Sequence, residues 1–418
     1  MRIRTLSLWL GGALLGFFHV SAQAEAWTLT QALTAARRYS AELSASRNEA
    51  SALDAMADSA RQLPDPKLKF GIENVPVQGN NDRRFTREGM TMQRVGIMQR
   101  YVSGEKRDRK AQTLIAQSRS VEAQSQTLLA NLQRDTAQAW LDLALSQQAL
   151  ASARALVAET ERQQSAQRAS VGAGSSSPDS VLALKMTLLG MRDSVTLAGR
   201  DVRLAQARLL QLTGKNVTAV SGPLPSWQRL PADESALLAG VAQHPEVVAA
   251  VREAGAAKSR SAESAIAAIP DVEVELYYAR RGDDYDDMAG VMFTVDLPLF
   301  QAKRQDKDHA ADVSRTLQAN DKLAQVERAH AAQLSALIAD YQAAQAIWLR
   351  QRDEVLPLQR QRVSLLNAQY RSGQSDLSAL LAARRDLLTA TLATLNAEKT
   401  VAKSWAAIRY LIPQETTL

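Results

Sequence analysis

Cysteine is absent from the 418-residue chain, which excludes disulfide bonds, cysteine-ligated metal sites and thiol nucleophiles. Aromatic residues make up only 5% of the sequence. The net charge is +6, but no tract of Lys and Arg concentrates it on one face, as nucleic-acid binding requires. These absences argue against thiol chemistry and against a nucleic-acid-binding protein.

Long hydrophobic runs are also missing, apart from one near the N-terminus at Leu6–Val20. Arg2 and Arg4 precede this run, and the small residues of Ser21-Ala22-Gln23-Ala24 follow it. A basic start, a short apolar core and a small-x-small site predict a secretory signal peptide over residues 1–24, and an uncleaved anchor is the alternative. We therefore expect an exported protein that has no lipid anchor at a cysteine and no membrane-spanning helix.

Most of the chain has the composition and the spacing of long helices. Two heptad patterns are visible, one on Leu129, Thr136, Leu143, Leu150 and Val157, the other on Leu334, Tyr341, Trp348 and Val355. Such repeats favour helices that pack side by side as in coiled coils, and Pro357 predicts a local irregularity in the second one. The predicted helices are Leu29–Leu63, Gly104 to about Ser170, Val181–Leu212, Leu237–Ile269, about Asp306 to Ser372, and a last one ending near Tyr410.

Four short segments alternate instead between apolar and polar residues. About ten residues of apolar-out, polar-in alternation are typical of an outer-membrane β-strand, although a soluble hairpin packed on a helix alternates equally well. Four strands cannot close a barrel, and every strand edge in lipid must be paired. Export therefore favours a 12-stranded barrel shared by three subunits. The predicted lipid-facing residues are Leu68, Phe70, Ile72, Val272, Val274, Leu276, Val291, Phe293 and Val295, with Val95, Ile97, Tyr101, Tyr278 and Leu297 in the same pattern.

Related segments recur about two hundred residues apart. "LPDPKLKF" (Leu63–Phe70) resembles "IPDVEVEL" (Ile269–Leu276), and "GSSSPDSVLAL" resembles "GQSDLSALLAA". A single long period indicates a duplication and not a solenoid. The predicted organisation is a signal peptide at 1–24, a first repeat at 25–213, a connector at 214–233, a second repeat at 234–412 and a tail at 413–418.

On these segments, with "MTMQRVGIMQ" (Met90–Gln99) and "VDLPLFQAKRQD" (Val295–Asp306), the chain resembles the TolC-like outer-membrane efflux channels, the outer membrane factor family. The resemblance covers essentially the whole mature chain. Within the family it is most similar to the branch paired with heavy-metal cation exporters of the RND type, on "LPDPKLKFGIENVPV" (Leu63–Val77), "MTMQRVGIMQ" (Met90–Gln99) and "VDLPLFQAKRQD" (Val295–Asp306).

The resemblance implies a mainly α fold with a small membrane β part. Long antiparallel helical hairpins of a homotrimer would form a periplasmic tunnel, and four strands of each protomer would join the outer-membrane barrel. Implied partners are a periplasmic membrane-fusion (adaptor) protein, an inner-membrane RND cation pump and outer-membrane lipids, with no cofactor. The implied function is the passive exit duct of a tripartite pump for heavy-metal cations in a Gram-negative bacterium. Alternatives are a duct for drugs, organic compounds or secreted proteins, and a periplasmic coiled-coil scaffold without a barrel.

Two breaks between long helices predict the ends of the hairpins. Gly and Ser at a turn expose backbone that a partner can approach, so these ends are candidates for adaptor docking. In the second break, Ala379 and Ala382 stand where the family places carboxylate rings, which shifts a periplasmic gate to polar residues nearer the turn. The docking candidates are Val171, Gly172, Gly174, Arg371 and Gly373, and the gate candidates are Asp179, Tyr370, Arg371 and Asp376.

Other motifs carry little chemistry in their context. "DDYDD" (Asp283–Asp287) lies between two strands, where carboxylates do not converge on a metal as they do on a helix face. Asp308, His309 and Asp312 share a helix face that we interpret as charged and exposed, and five methionines (Met90, Met92, Met98, Met288 and Met292) lie in or beside strands, where a soft-metal site is the alternative. No nucleophile–base pair or phosphate loop occurs, so we predict no enzyme activity, no catalytic residue and no bound metal. Glu275 lies on the polar strand face, so the substitution Glu275→Arg is predicted to be tolerated.

Overall fold

The computed structural model describes residues 26–80, 82–85, 87–162, 165, 169, 171, 178–282 and 284–412. The predicted signal peptide, Gly172, Gly174 and the predicted tail lie outside these residues. No helix in the described ranges combines the length and the apolar character that crossing a membrane requires.

Helices make up most of the described chain. The longest, α3, has 58 residues and therefore extends roughly 87 Å at 1.5 Å per residue. The helices are α1 (Leu29–Tyr39), α2 (Ala41–Ala60), α3 (Gly104–Glu161), α4 (Pro178–Thr213), α5 (Glu234–Ala239), α6 (Pro245–Ser264), α7 (Gln305–Arg350), α8 (Leu356–Arg371) and α9 (Leu377–Arg409).

The predicted helix Leu29–Leu63 is wrong as a single element, because it is divided at Ser40. The backbone N–H of Ser40 donates to Ala36 O at the end of α1, and its hydroxyl accepts from Leu43 N, 3.3 Å away, at the start of α2. A serine that satisfies both helix ends favours two helices over one.

The predicted helix Leu237–Ile269 is wrong for a similar reason. A 3₁₀ turn, Gly240–Gln243, follows α5, and His244 then caps α6 through its ring nitrogen Nδ1, 3.2 Å from Glu246 N. Pro245 opens α6, where its missing N–H costs nothing. The helix ends at Ser264, five residues before the predicted end.

The irregularity predicted near Pro357 is present as a π-helical turn, Gln351–Val355, between α7 and α8. Leu334, Tyr341 and Trp348 of the second heptad pattern are buried as predicted. At the end of the π turn, however, the heptad position Val355 is only half-buried, and the next residue, Leu356, is buried instead.

The largest core lies where α1, α3, α4, α7 and α9 meet. Trp140 is fully buried there, and its indole N–H donates to Trp27 O at 2.8 Å. Tyr341 is buried beside it and donates its hydroxyl to Trp227 O at 2.8 Å. A two-stranded parallel sheet, β1 (Ala26–Trp27) with β4 (Ala219–Val220), joins the described N-terminus to the connector, and the sequence did not predict it.

The second sheet has four antiparallel strands in the order β2-β3-β5-β6. The strands are β2 (Lys67–Glu73), β3 (Met92–Tyr101), β5 (Val272–Arg280) and β6 (Met288–Val295). All four were predicted, although β6 ends before Leu297, which is 70% exposed, because Pro298 has no N–H to continue the ladder. β3 leads directly into α3, and a 3₁₀ turn, Gln301–Lys303, links the end of β6 to α7.

Candidate functional site

The four-stranded sheet presents one apolar face, which is largely uncovered. Its side chains follow the predicted alternation and stand beside one another across the strands, as in the register Leu68–Ile97–Leu276–Val291. Phe70 is the most exposed of them, at 82%. Val272 and Val274, nearer the helices, are half-buried. The other exposed members of this face are Ile72, Val95, Tyr101, Tyr278, Phe293 and Val295.

The opposite, polar face carries a network of ion pairs. Lys69 Nζ lies 2.8 Å from Glu275 Oε2, and Arg94 Nη2 lies 2.9 Å from Glu275 Oε1. Arg94 also reaches Glu73 through Nη1 at 3.0 Å. The Glu275 side chain is only 8% exposed, so its charge is held by two cations in a poorly hydrated position.

The geometry of this network depends on Gly96. Gly96 lies in register between Lys69 on β2 and Tyr277 on β5, and a Cβ there would lie 3.3 Å from Glu275 Oε1, so the glycine leaves room for the Glu275 carboxylate. These ion pairs argue against the prediction that Glu275→Arg is tolerated, because a third cation would stand beside Lys69 and Arg94 with only Glu73 to balance them.

Two further buried aspartates lie where the sheet meets the helices. Asp271 accepts from Arg100 at 2.9 Å and from Lys106 at 2.8 Å. Asp312 accepts from Arg315 at 2.6 Å and lies 3.4 Å from Arg260 Nε. Both line a cavity of about 920 Å³ formed at the ends of α2, α3, α6 and α7.

The interpretation of Asp308, His309 and Asp312 as one exposed face is wrong for Asp312, which is 6% exposed. Burial by itself would raise the pKa of the Asp312 carboxyl, but hydrogen bonds from Arg315 and Ser264 and the charge of Arg260 outweigh it and lower the pKa. Its carboxylate is thus committed to arginine. No three His, Asp or Glu side chains in the described ranges are arranged to hold a metal ion.

Of the "DDYDD" segment, Asp283 lies outside the described residues. Asp287 accepts a hydrogen bond from the Tyr278 hydroxyl and another from Arg281 N at 3.2 Å. This carboxylate therefore fixes the loop to the end of β5. Of the methionines, Met98 and Met292 stand in register on either side of Glu275.

The end of the second hairpin, between α8 and α9, is a short turn. Gly373 has φ +72°, a value that favours glycine. Asp376 Oδ1 accepts from Ala379 N at 2.9 Å and from Ser378 Oγ at 2.8 Å, and these bonds, the backbone one first, lower the pKa of its carboxyl. Asp376 therefore caps α9, and Arg371 makes no ion pair within the described part of the chain.

The two hairpins share an apolar cluster near their ends, and of the predicted end residues Tyr370 packs against it. Leu377 and Leu380 of α9 pack with Ala153 of α3 and Leu184 of α4, and Tyr370 adjoins them. Val171 is half-buried and Asp179 is exposed in the first turn of α4. Gly172 and Gly174 lie outside the described residues.

A histidine pair between α6 and α7 was missed by sequence reasoning. The rings of His244 and His330 stack with centroids 3.9 Å apart, and His330 Nε2 lies 2.6 Å from Glu246 Oε2. Burial, together with the neighbouring His330, lowers the pKa of His244 to about 4, although Glu246 opposes the shift. The His-Pro-Glu start of α6 carried the only sequence signal, since it is a helix-capping pattern.

Comparison with known proteins places the fold. No family model matches the chain, and no curated protein matches its sequence. Among solved structures, CusC, reported for its folding and transmembrane channel formation, aligns with TM-score 0.76 and 15% identity over 93% of this chain and 92% of its own. The outer membrane protein VceC of Vibrio cholerae gives 0.72 and 16% over 92% and 95%, and the CmeC outer membrane channel of Campylobacter jejuni gives 0.70 and 12% over 99% and 96%. At these identities the likeness shows a shared fold.

Proposed function

We propose that the protein is a TolC-like outer membrane factor, the exit duct of a tripartite efflux system of the RND type. It would conduct cargo passively from the periplasm to the outside, while the inner-membrane pump supplies the energy. Heavy-metal cations are the proposed cargo, on the resemblance of the strand and shaft motifs to that branch.

One observation supports the proposal of an exit duct. A sheet with an exposed apolar face and an ion-paired polar face lies at the start of the longest described helix, α3. A face of exposed Phe, Leu, Ile and Val suits lipid, and a face of paired charges suits a water-filled lumen. The fold shared with outer membrane channels supports the same arrangement.

The two edge strands of the sheet support an assembly of several copies. β2 and β6 each have a neighbour on one side only, and in lipid the free side of each must be paired. Three copies would supply twelve strands, an even number within the range of such barrels. A row of exposed apolar residues on α4 would pack against the next copy in the helical part: Leu182, Met186, Leu189, Leu197 and Leu204.

The element order supports the proposed duplication. α2, β2, β3, α3 and α4 of the first half correspond in type and order to α6, β5, β6, α7 and α9 of the second, with α8 continuing α7 beyond the π turn. We keep the proposed boundaries, with repeats at 25–213 and 234–412 joined by the connector at 214–233.

The hairpin ends are the proposed adaptor-docking surface, at Val171, Gly172, Gly174, Arg371 and Gly373. Because the chain has no cysteine, single-cysteine variants allow clean crosslinking. Arg371→Cys should crosslink to the adaptor in cells, whereas Arg360→Cys, three turns earlier in α8, should not. Equal crosslinking at both positions would argue against docking at the end.

The duct is tested by expressing the chain in a Gram-negative host. We expect an outer-membrane trimer that dissociates on heating and that forms discrete channels in planar bilayers. A monomer in the soluble periplasmic fraction would favour the scaffold without a barrel.

The cargo is tested separately by deleting the gene in its own host. The tolerance of the deletion strain is measured metal by metal and against a panel of antibiotics, with complementation by the wild-type gene. Loss of tolerance to metal salts supports the heavy-metal branch. Loss of tolerance to organic compounds alone would assign the duct to the alternative cargo.

A further inference from the structure

Tyr277 occupies an unusual row on the polar face of the sheet. Its partner on β3 is Gly96 and its partner on β6 is Gly290, so Tyr277 has a residue without a side chain on each neighbouring strand. Lys69 on β2 completes the row.

Both glycines are required by the space that Tyr277 takes. A Cβ atom on Gly290 would lie 2.5 Å from both Cζ and the hydroxyl oxygen of Tyr277, and a Cβ on Gly96 would lie 2.9 Å from both Tyr277 Cβ and the backbone oxygen of Leu276. Neither glycine has a positive φ, so backbone conformation does not explain them. Glycine inside a strand then marks a close approach, and here the ring lies over the backbone of β6.

Arg94 covers the ring from another direction. Its guanidinium carbon is 3.7 Å from the Tyr277 ring centroid, a distance at which a cation is attracted to the aromatic face. Glu73 and Glu275 hold the same guanidinium by ion pairs of 3.0 and 2.9 Å. The ring is therefore fixed between a recess at Gly290 and a clamped arginine.

We infer that Tyr277 sets the width of the barrel section of the channel, with Gly290 as the recess that keeps its ring against the wall. The inference rests on the proposed function, in which the polar face lines the lumen. Three copies would place three such rings at one level of the barrel. A ring excluded from the recess would project into the lumen, because Arg94, Glu275 and Lys69 fill the surrounding wall, and a narrower bore lowers both conductance and the largest cargo that passes.

The test is Gly290→Val, with Gly71→Val as its matched control. Gly71 lies on the same polar face of β2, in register with Arg94, and a Cβ added there meets nothing within 4 Å. Purified trimers of both variants and of the otherwise unchanged chain, each carrying Arg371→Ala to remove the proposed closure at the hairpin ends, are compared by single-channel conductance in planar bilayers. We expect a loss of conductance in Gly290→Val and unchanged conductance in Gly71→Val.

The double variant Gly290→Val/Tyr277→Ala separates the ring from other effects. Recovery of conductance in the double variant is the expected result, and if Gly290→Val forms no trimer, recovery of trimers in the double variant supports the same steric cause. Unchanged conductance in Gly290→Val, or a defect in conductance or assembly that the double variant retains, would overturn the inference. A wild-type protein that forms no channel would instead defeat the proposed function.

Discussion

Buried charge at single residues is where this protein is most sensitive to substitution. Glu275 has two cationic partners and little contact with water, whereas Glu273, two residues earlier on the same face, is half-buried and makes no ion pair with any residue that the structure describes. Removing one member of a buried ion pair leaves the others without a counter-charge.

We expect Glu275→Gln to destabilise the assembled protein by about 1–3 kcal/mol, less than for a fully buried pair because Lys69 is partly exposed. The measurement is the temperature at which the trimer dissociates on a semi-native gel. Glu273→Gln is the control and should dissociate at the wild-type temperature. An equal decrease of the dissociation temperature in both variants would show that the ion pairs of Glu275 do not stabilise the trimer.

His244 gives a second residue-scale prediction, in acid. Its pKa of about 4 lies below the ordinary value of 6.5, so between these values the unfolded chain binds a proton that the folded chain does not. The contribution of neutral His244 is therefore complete above about pH 6.5, decreases as the pH falls and levels off below about pH 4. Stacked His330 and paired Glu246 are the titratable groups that face it.

His244→Asn keeps a helix-capping oxygen but cannot titrate. We expect thermal unfolding, followed by circular dichroism, to shift less between pH 6.5 and pH 4 in this variant than in wild type. The same pH dependence in both proteins would assign the acid sensitivity to other groups.

At the scale of elements, the two faces of a strand should respond oppositely to charge. Leu276 is 59% exposed on the apolar face, while Thr294 lies on the polar face of β6 opposite Glu273. If the apolar face contacts lipid, Leu276→Arg should destabilise the barrel by roughly 2–4 kcal/mol and reduce assembly. Thr294→Arg should assemble normally, because the new arginine would lie opposite the Glu273 carboxylate on the neighbouring strand. Trimer yield in outer-membrane fractions is the measurement. Equal yields would refute the assignment of faces.

Strands were predicted better than helix boundaries, and the reason is local. Alternation with a period of two is visible within β5 itself, so the strand and its apolar face could be predicted from that segment alone. The breaks at Ser40 and at His244 depend on a single capping side chain inside an otherwise helical composition, and a helical pattern does not reveal them. The pairing of Lys69 with Glu275 could not be predicted at all, because it depends on strand order and register between distant segments.

At the scale of the whole molecule, closure of the tunnel is predicted to rest on weak contacts between neighbouring hairpin ends. Asp376 is occupied as a helix cap within its own chain, so the proposed closure rests on Arg371 meeting an acidic side chain of a neighbouring hairpin, such as Asp179. Exposed pairs contribute only about 0–1 kcal/mol each, and three copies repeat each of them.

We expect Arg371→Ala to raise single-channel conductance and to sensitise cells to large antibiotics. Arg360→Ala, an exposed arginine on the same side of α8, is the control and should change neither. Wild-type conductance in Arg371→Ala at a normal trimer yield would exclude this gate.

The fold class followed from the sequence because long helical repeats and short alternating segments have different periods. The proposed contacts between copies, which would complete the barrel and the hairpin ends, leave no periodic pattern within any one segment of the sequence. For the same reason, the alternation identified the apolar strand face without showing what covers it.

The π-helical turn at Gln351–Val355 determines which side of α8 faces the rest of the protein. The buried positions run from Trp348 to Leu356 in place of Val355, so the turn accommodates one residue more than a continuous heptad would. One residue corresponds to about 100° of rotation in an α-helix. Deleting a single residue from this turn would convert it into an ordinary α-helical turn and leave Arg371 facing the same neighbour, whereas deleting one residue from α8 itself would rotate the helix beyond the deletion by about that angle.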